Sequence, residues 1–137
     1  MIIPLLKGLG LTLSRFFSKP ITYQYPEEKM PPAKRWRGIQ YFEKNEQGRM
    51  KCVACGLCMA VCPSQCIYIE TGEDEQFGRY PIKYELDVSR CIFCGFCEEA
   101  CPVKAIFLGR NYEWVENDRR AYLMDTEKLL EEKKNNP

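Results

Sequence analysis

The spacing of the cysteines constrains this chain more than any other feature in it. Eight of its nine cysteines fall in two runs of Cys-x2-Cys-x2-Cys-x3-Cys-Pro: Cys52, Cys55, Cys58 and Cys62, then Cys91, Cys94, Cys97 and Cys101. Residues 52–70 (CVACGLCMAVCPSQCIYIE) align with residues 91–109 (CIFCGFCEEACPVKAIFLG) at a constant offset of 39. Gly56/Gly95, Pro63/Pro102 and Ile67/Ile106 recur along with the four cysteine pairs. One register through every cysteine implies two similar halves related by a pseudo-two-fold. Each half reads as a ligand loop, a short helix starting near the third cysteine, and a short strand. Those strands are expected at Ile67–Glu70 and Ile106–Leu108, with further strands before the loops at Ile39–Glu43 and Ile82–Asp87.

The thiols could in principle serve disulfides or metal. An odd count, very short spacings and the lack of a secretory signal pattern in MIIPLLKGLGLTLSRFF all speak against a disulfide framework. A reducing compartment with metal-bound thiolates is the better expectation. The chain contains no histidine, which removes His-ligated zinc or haem, Rieske-type ligation and an imidazole-based triad. It also has no glycine-rich nucleotide fingerprint, because Gly8 and Gly10 lie in an apolar segment with no preceding strand. Bound nucleotide and chemistry on a substrate are therefore not expected here.

Three cysteines two residues apart wrap a tight loop around one corner of an iron–sulfur cubane. In the bacterial run the fourth thiolate, just before proline, ligates the other cluster. Two 4Fe-4S clusters are thus expected, with crossed ligands. Cluster 1 takes Cys52, Cys55, Cys58 and Cys101; cluster 2 takes Cys91, Cys94, Cys97 and Cys62. Zinc also accepts four thiolates, but zinc ribbons use paired Cys-x2-Cys knuckles rather than two runs of this form. A 3Fe-4S cluster would call for a missing middle cysteine, and Cys55 and Cys94 are both present. The ninth cysteine, Cys66, aligns with Ala105, so a small packing side chain is expected there. Such a chain passes electrons.

Charge and composition divide the rest. Residues 1–51 carry ten Lys/Arg against four Asp/Glu, and residues 52–137 carry ten against fifteen. A basic arm is therefore joined to an acidic electron-transfer core, with no motif for nucleic acid. Residues 1–18 read as an amphipathic helix, with Ile2, Leu5, Leu6, Leu9, Leu13, Phe16 and Phe17 on one face. Pro4 suits its first turn, and Lys19-Pro20 should end it. At roughly 25 Å the helix falls short of a ~30 Å hydrocarbon core, and Lys7 and Arg15 interrupt it, so it should dock on a surface rather than span. Residues 19–38 read as an extended basic arm and 39–110 as the cluster domain. Residues 111–137 form a C-terminal extension with a helix at Thr126–Lys134 and a frayed Lys-Lys-Asn-Asn-Pro end. The fold class expected is α+β: a ferredoxin-like pseudo-two-fold domain preceded by the helix and arm.

The residues around the cysteines carry a closer likeness. Arg35-Trp36-Arg37-Gly38, CVACGLCMAVCP, GRYPIKYELDVSRCIFCGFCEEACPVKAI and the run Asp125-Thr126-Glu127-Lys128-Leu129-Leu130 resemble the ferredoxin-like subunit I of respiratory NADH:quinone oxidoreductase, complex I. The resemblance covers about residues 30–131. It implies a non-catalytic relay subunit that passes electrons to the terminal cluster of a neighbouring subunit and on to quinone, with cluster 1 upstream. It implies as partners the other hydrophilic-arm subunits, including those of the terminal cluster and quinone site. Residues 1–18 would then dock on a membrane-domain subunit or the membrane surface, at its cytoplasmic face. Equivalent subunits of membrane-bound hydrogenases or ferredoxin-driven complexes share the motifs, and a diffusible ferredoxin is a further alternative.

Overall fold

A computed structural model describes residues 2–75 and 78–133. The chain divides into two compact units, Met1–Pro32 and Ala33–Pro137, each described here by itself.

The first unit contains helix α1, Ile2–Phe16. Pro4 sits in its first turn, where a missing N–H costs nothing. The helix ends before Lys19-Pro20, and the Ser18 hydroxyl donates to the Arg15 carbonyl at 2.8 Å. None of its residues is buried, and Ile2, Leu5, Leu9, Phe16 and Phe17 are all exposed. Among the described residues no helix is long and apolar enough to cross a membrane. Beyond α1 the described residues of this unit form no regular element. One turn there is closed by Glu28 N–H donating to Gln24 C=O at 2.8 Å.

The second unit is built from the repeat. In chain order it holds β1 (Gln40–Phe42), α2 (Leu57–Val61), β2 (Ile67–Asp74), β3 (Gly78–Asp87), α3 (Phe96–Glu99), β4 (Ile106–Leu108), β5 (Leu123–Met124) and α4 (Thr126–Glu132). The strands pair across the halves rather than within them. Strand β1, which precedes the first ligand loop, pairs antiparallel with β4, which closes the second half; Phe42 faces Ile106. Strand β3, which precedes the second loop, pairs antiparallel with β2, which closes the first half; Leu86 faces Ile67. Strand β5 adds to the free edge of β3. The two halves therefore exchange strands, and neither can complete its sheet alone.

Phe42, Tyr84, Leu86, Ile106 and Leu129 are fully buried and form the centre of the core with Ile39, Ile67, Val88 and Met124. Helix α4 covers one side of it through Leu129. Asp125 caps that helix, accepting from Lys128 N–H at 2.9 Å. The expected β4 matches Ile106–Leu108, and the expected helices appear beside the third cysteines. The β2–β3 hairpin runs further than expected, because its outer half is exposed apart from Gly72 and so shows no apolar alternation. Residues 33–38, placed in the arm by composition, fall in the second unit, where Gly38 N–H donates to Gly109 C=O at 2.7 Å. Lys134 and the Asn-Asn-Pro end lie outside the described residues.

Candidate iron–sulfur centres

The ligand loops have the same unusual backbone twice. Ala54 and Phe93, 39 residues apart, adopt positive φ of 47° and 53°, and Gly56 and Gly95 follow at 79° and 87°. Gln65 and Lys104 repeat the effect at 48° and 47°. Left-handed conformations at non-glycine residues cost roughly 1–2 kcal/mol each, and they recur where a site demands them. Their result here is visible in the amides. Ala54 N–H points at Cys52 Sγ and Phe93 N–H at Cys91 Sγ, both at 3.4 Å, and Ala105 N–H reaches Cys101 Sγ at 3.2 Å. The loops fold so that backbone donors face sulfur.

The eight cysteines of the two runs gather around two cavities. One is lined by Cys52, Cys55, Cys58 and Cys101, together with Phe42, Val53, Ile69 and Ile106. The other is lined by Cys62, Cys91, Cys94 and Cys97, together with Gln40, Ser64, Cys66 and Ile67. Each cavity thus draws three thiols from one repeat and one from the other. No three Cys, Asp or Glu side chains among the described residues converge tightly enough for a single metal ion. Four thiols spread around a cavity suit a larger inorganic group, and this donor set fits a cubane better than one zinc.

Burial pushes several of these thiols up: Cys58 to about 11 and Cys97 to about 12, with Cys52 also raised. A buried thiolate without a countercharge is costly, which is the position a cationic iron relieves by binding the deprotonated sulfur. At Cys62 burial also pushes upward, but hydrogen bonds from the Cys66 amide and from Ser64 outweigh it and leave the thiol lowered. Cys66 is buried, as a packing residue would be, and its Sγ lies 3.5 Å from that of Cys62. Its sister Ala105 occupies the same place beside the first cavity. Cys55 is the exposed member of the eight.

Three residues at these sites have no place in the cysteine pattern. Arg37 clamps the second loop: its Nη1 donates to Cys94 C=O at 2.5 Å, and its Nη2 lies 3.7 Å from Glu99. A side chain at Gly95 would meet the Arg37 guanidinium at 3.0 Å, so glycine serves both the positive φ and this close approach. Gln40 Nε2 donates to Cys91 Sγ at 3.1 Å. The Tyr84 hydroxyl stands 4.0 Å from Cys58 Sγ, and burial holds its proton far above the usual phenolic range. The signal for Gln40 was available: it shares a face with Phe42 on a strand whose face is buried, where a polar residue is unexpected.

Residues 51–105 match the 4Fe-4S dicluster domain family. Over 97% of its length the chain is 45% identical to NADH-quinone oxidoreductase subunit I 1 of Geobacter sulfurreducens, covering 100% of that protein. It is 44% identical to subunit I 2 of Geobacter metallireducens over 96% of this chain and 99% of that one. Among solved structures, it resembles a chain of the membrane-bound sulfane sulfur reductase, an archaeal respiratory membrane complex. That match has a TM-score of 0.58 and 30% identity, over 82% of this chain and 58% of the other.

Proposed function

The chain belongs to the subunit I family of NADH-quinone oxidoreductase, and from that premise we propose how its residues carry electrons. It is an electron-relay subunit that holds two 4Fe-4S clusters and works beside other subunits of a respiratory membrane complex, peripheral to the membrane. When bound, each cluster takes up and gives up one electron.

Cys52, Cys55, Cys58 and Cys101 hold the first cluster, and Cys62, Cys91, Cys94 and Cys97 the second. The observation that carries this reading is the partition of the eight thiols, four and four, around two cavities, with one thiol of each set supplied by the opposite repeat. The strand exchange between β1–β4 and β2–β3 supports it, because the same crossing brings Cys101 and Cys62 to the opposite loops. The largely apolar lining lowers the polarity around the sulfurs, and the amides of Ala54, Phe93 and Ala105 would stabilise the negative charge that each electron adds.

The chain performs no substrate chemistry of its own. Held by Cys52, Cys55, Cys58 and Cys101, the first cluster would accept electrons from upstream; held by Cys62, Cys91, Cys94 and Cys97, the second would pass them toward the terminal cluster of the neighbouring subunit that reduces quinone. Helix α1, with its apolar residues exposed, docks on the membrane-domain subunit or the membrane surface at the cytoplasmic face. A full-length match to subunit I chains favours this assembly over a hydrogenase subunit, and α1 has no role in a free ferredoxin.

The test is an anaerobic pull-down from membranes, with subunit identification and EPR on one sample. Recovery with NADH- and quinone-binding subunits and two reducible clusters is expected. A stable, free, soluble monomer would overturn the reading.

A further inference from the structure

Strand register puts Gln40 and Tyr84 in equivalent places of the pseudo-two-fold. Gln40 lies opposite Leu108 and Tyr84 opposite Ile69, and Ile69 and Leu108 are separated by the repeat offset of 39. Both side chains are 1% exposed, and both turn a polar end to a cysteine of a ligand loop. The outcomes differ. Gln40 Nε2 is 3.1 Å from Cys91 Sγ, a good N–H···S distance, whereas the Tyr84 hydroxyl stands off Cys58 Sγ at 4.0 Å.

Among the described residues Gln40 is the one amide or charged side chain buried in the core, and its Oε1 has no hydrogen-bond partner. An orphaned buried amide oxygen is destabilising, a penalty that an aliphatic residue here would avoid. Its orientation follows from chemistry: a metal-bound thiolate only accepts, so it must face the NH2, and the oxygen is left over. A costly buried amide is thus held with its donor aimed at one cluster ligand.

We propose that Gln40 tunes the second cluster, donating from Nε2 to Cys91 Sγ and raising the reduction potential of the Cys62/Cys91/Cys94/Cys97 site. Each electron that enters adds one negative charge, part of which falls on the ligand sulfurs, so an N–H dipole aimed at sulfur is worth more after reduction than before. No bond breaks and no proton moves. The nearby carboxylates are already engaged, Glu98 by Leu108 N–H at 2.9 Å and Glu99 by Arg37 at 3.7 Å. The inference rests on the ligand sets proposed above, and it gives the downstream cluster a donor that the equivalent position of the first supplies only at long range.

The test is an EPR-monitored redox titration of the intact complex carrying Gln40→Met, which keeps the bulk and removes the donor. The expected result is an approximately tenfold fall in the reduction equilibrium constant of one cluster, ~59 mV for one electron, with the other cluster unmoved. Unchanged midpoints at full iron content would overturn the proposal. Should the variant fail to assemble, the unaltered complex decides: with glutamine labelled at the side-chain amide by 15N, pulsed EPR should find that nitrogen coupled to one reduced cluster. No such coupling would overturn the inference, while iron far below two clusters per chain would overturn the ligand assignment itself.

Discussion

The rings of Phe42 and Tyr84 meet edge to face, with centroids 4.8 Å apart and planes at 79°. Phe42 comes from the β1–β4 sheet and Tyr84 from the β2–β3–β5 sheet, so this contact ties the two sheets together beside the first cavity. Both are fully buried. Phe42→Ala should therefore destabilise the cluster domain by about 3–5 kcal/mol, read as a lowered thermal midpoint of the anaerobic, loaded protein. Tyr84→Phe keeps the ring contact and should cost much less.

Gly38 sits where the chain enters the second unit, between Arg37 and strand β1. A Cβ there would collide with the Asn111 carbonyl. Gly38→Ala should cost about 1–3 kcal/mol through the forced backbone shift, with iron content falling as Arg37 loses its hold on the second loop. Normal stability and normal iron would show that the entry strand tolerates displacement.

Glu43 links strand β1 to the end of α4 through Lys133 Nζ at 2.8 Å, with Lys51 Nζ at 3.8 Å on its other oxygen. The hydrogen bond from Lys133 comes first among the causes that hold the Glu43 carboxyl below its ordinary value. A lowered pKa means stability that is present above the ordinary value of 4.5 and lost as pH falls through the folded one. Glu43→Gln should therefore lower stability slightly at pH 7, by up to about 1 kcal/mol for a half-exposed pair. The gap from the unaltered protein should close below pH 4.5; a constant gap in thermal midpoint across that range would contradict the account.

Deleting residues 2–18 removes α1, whose apolar residues are all exposed, and leaves the second unit intact. Both EPR signals should persist while retention in the membrane complex is lost, measured by fractionation. Undiminished retention would remove the docking role.

The cysteine pattern made the eight-thiol partition, the repeat and the short helices legible, because metal ligation fixes spacing more tightly than packing does. Strand β4 could be read from Ile106-Phe107-Leu108 for the same reason: it follows the fourth cysteine in a fixed register. The outer β2–β3 hairpin could not, since Thr71–Asp74 and Gly78–Tyr80 are largely exposed and nothing forces alternation. Strand β5 is two residues long and owes its existence to the free edge of β3, which no local sequence specifies. Tyr84 and the Arg37 clamp were hidden for another reason: they act across 26 and 57 residues of chain, on loops they reach only after the strands have exchanged.

That exchange is also where the account is most exposed. Comparing EPR spectra of the reduced chain with Cys52→Ser, Cys101→Ser, Cys91→Ser and Cys62→Ser tests it directly. Crossed ligation requires Cys101→Ser to alter the same signal as Cys52→Ser, and Cys62→Ser the same signal as Cys91→Ser. If Cys101→Ser instead altered the signal affected by Cys91→Ser, each repeat would hold its own cluster, and the crossed two-cluster relay would be wrong.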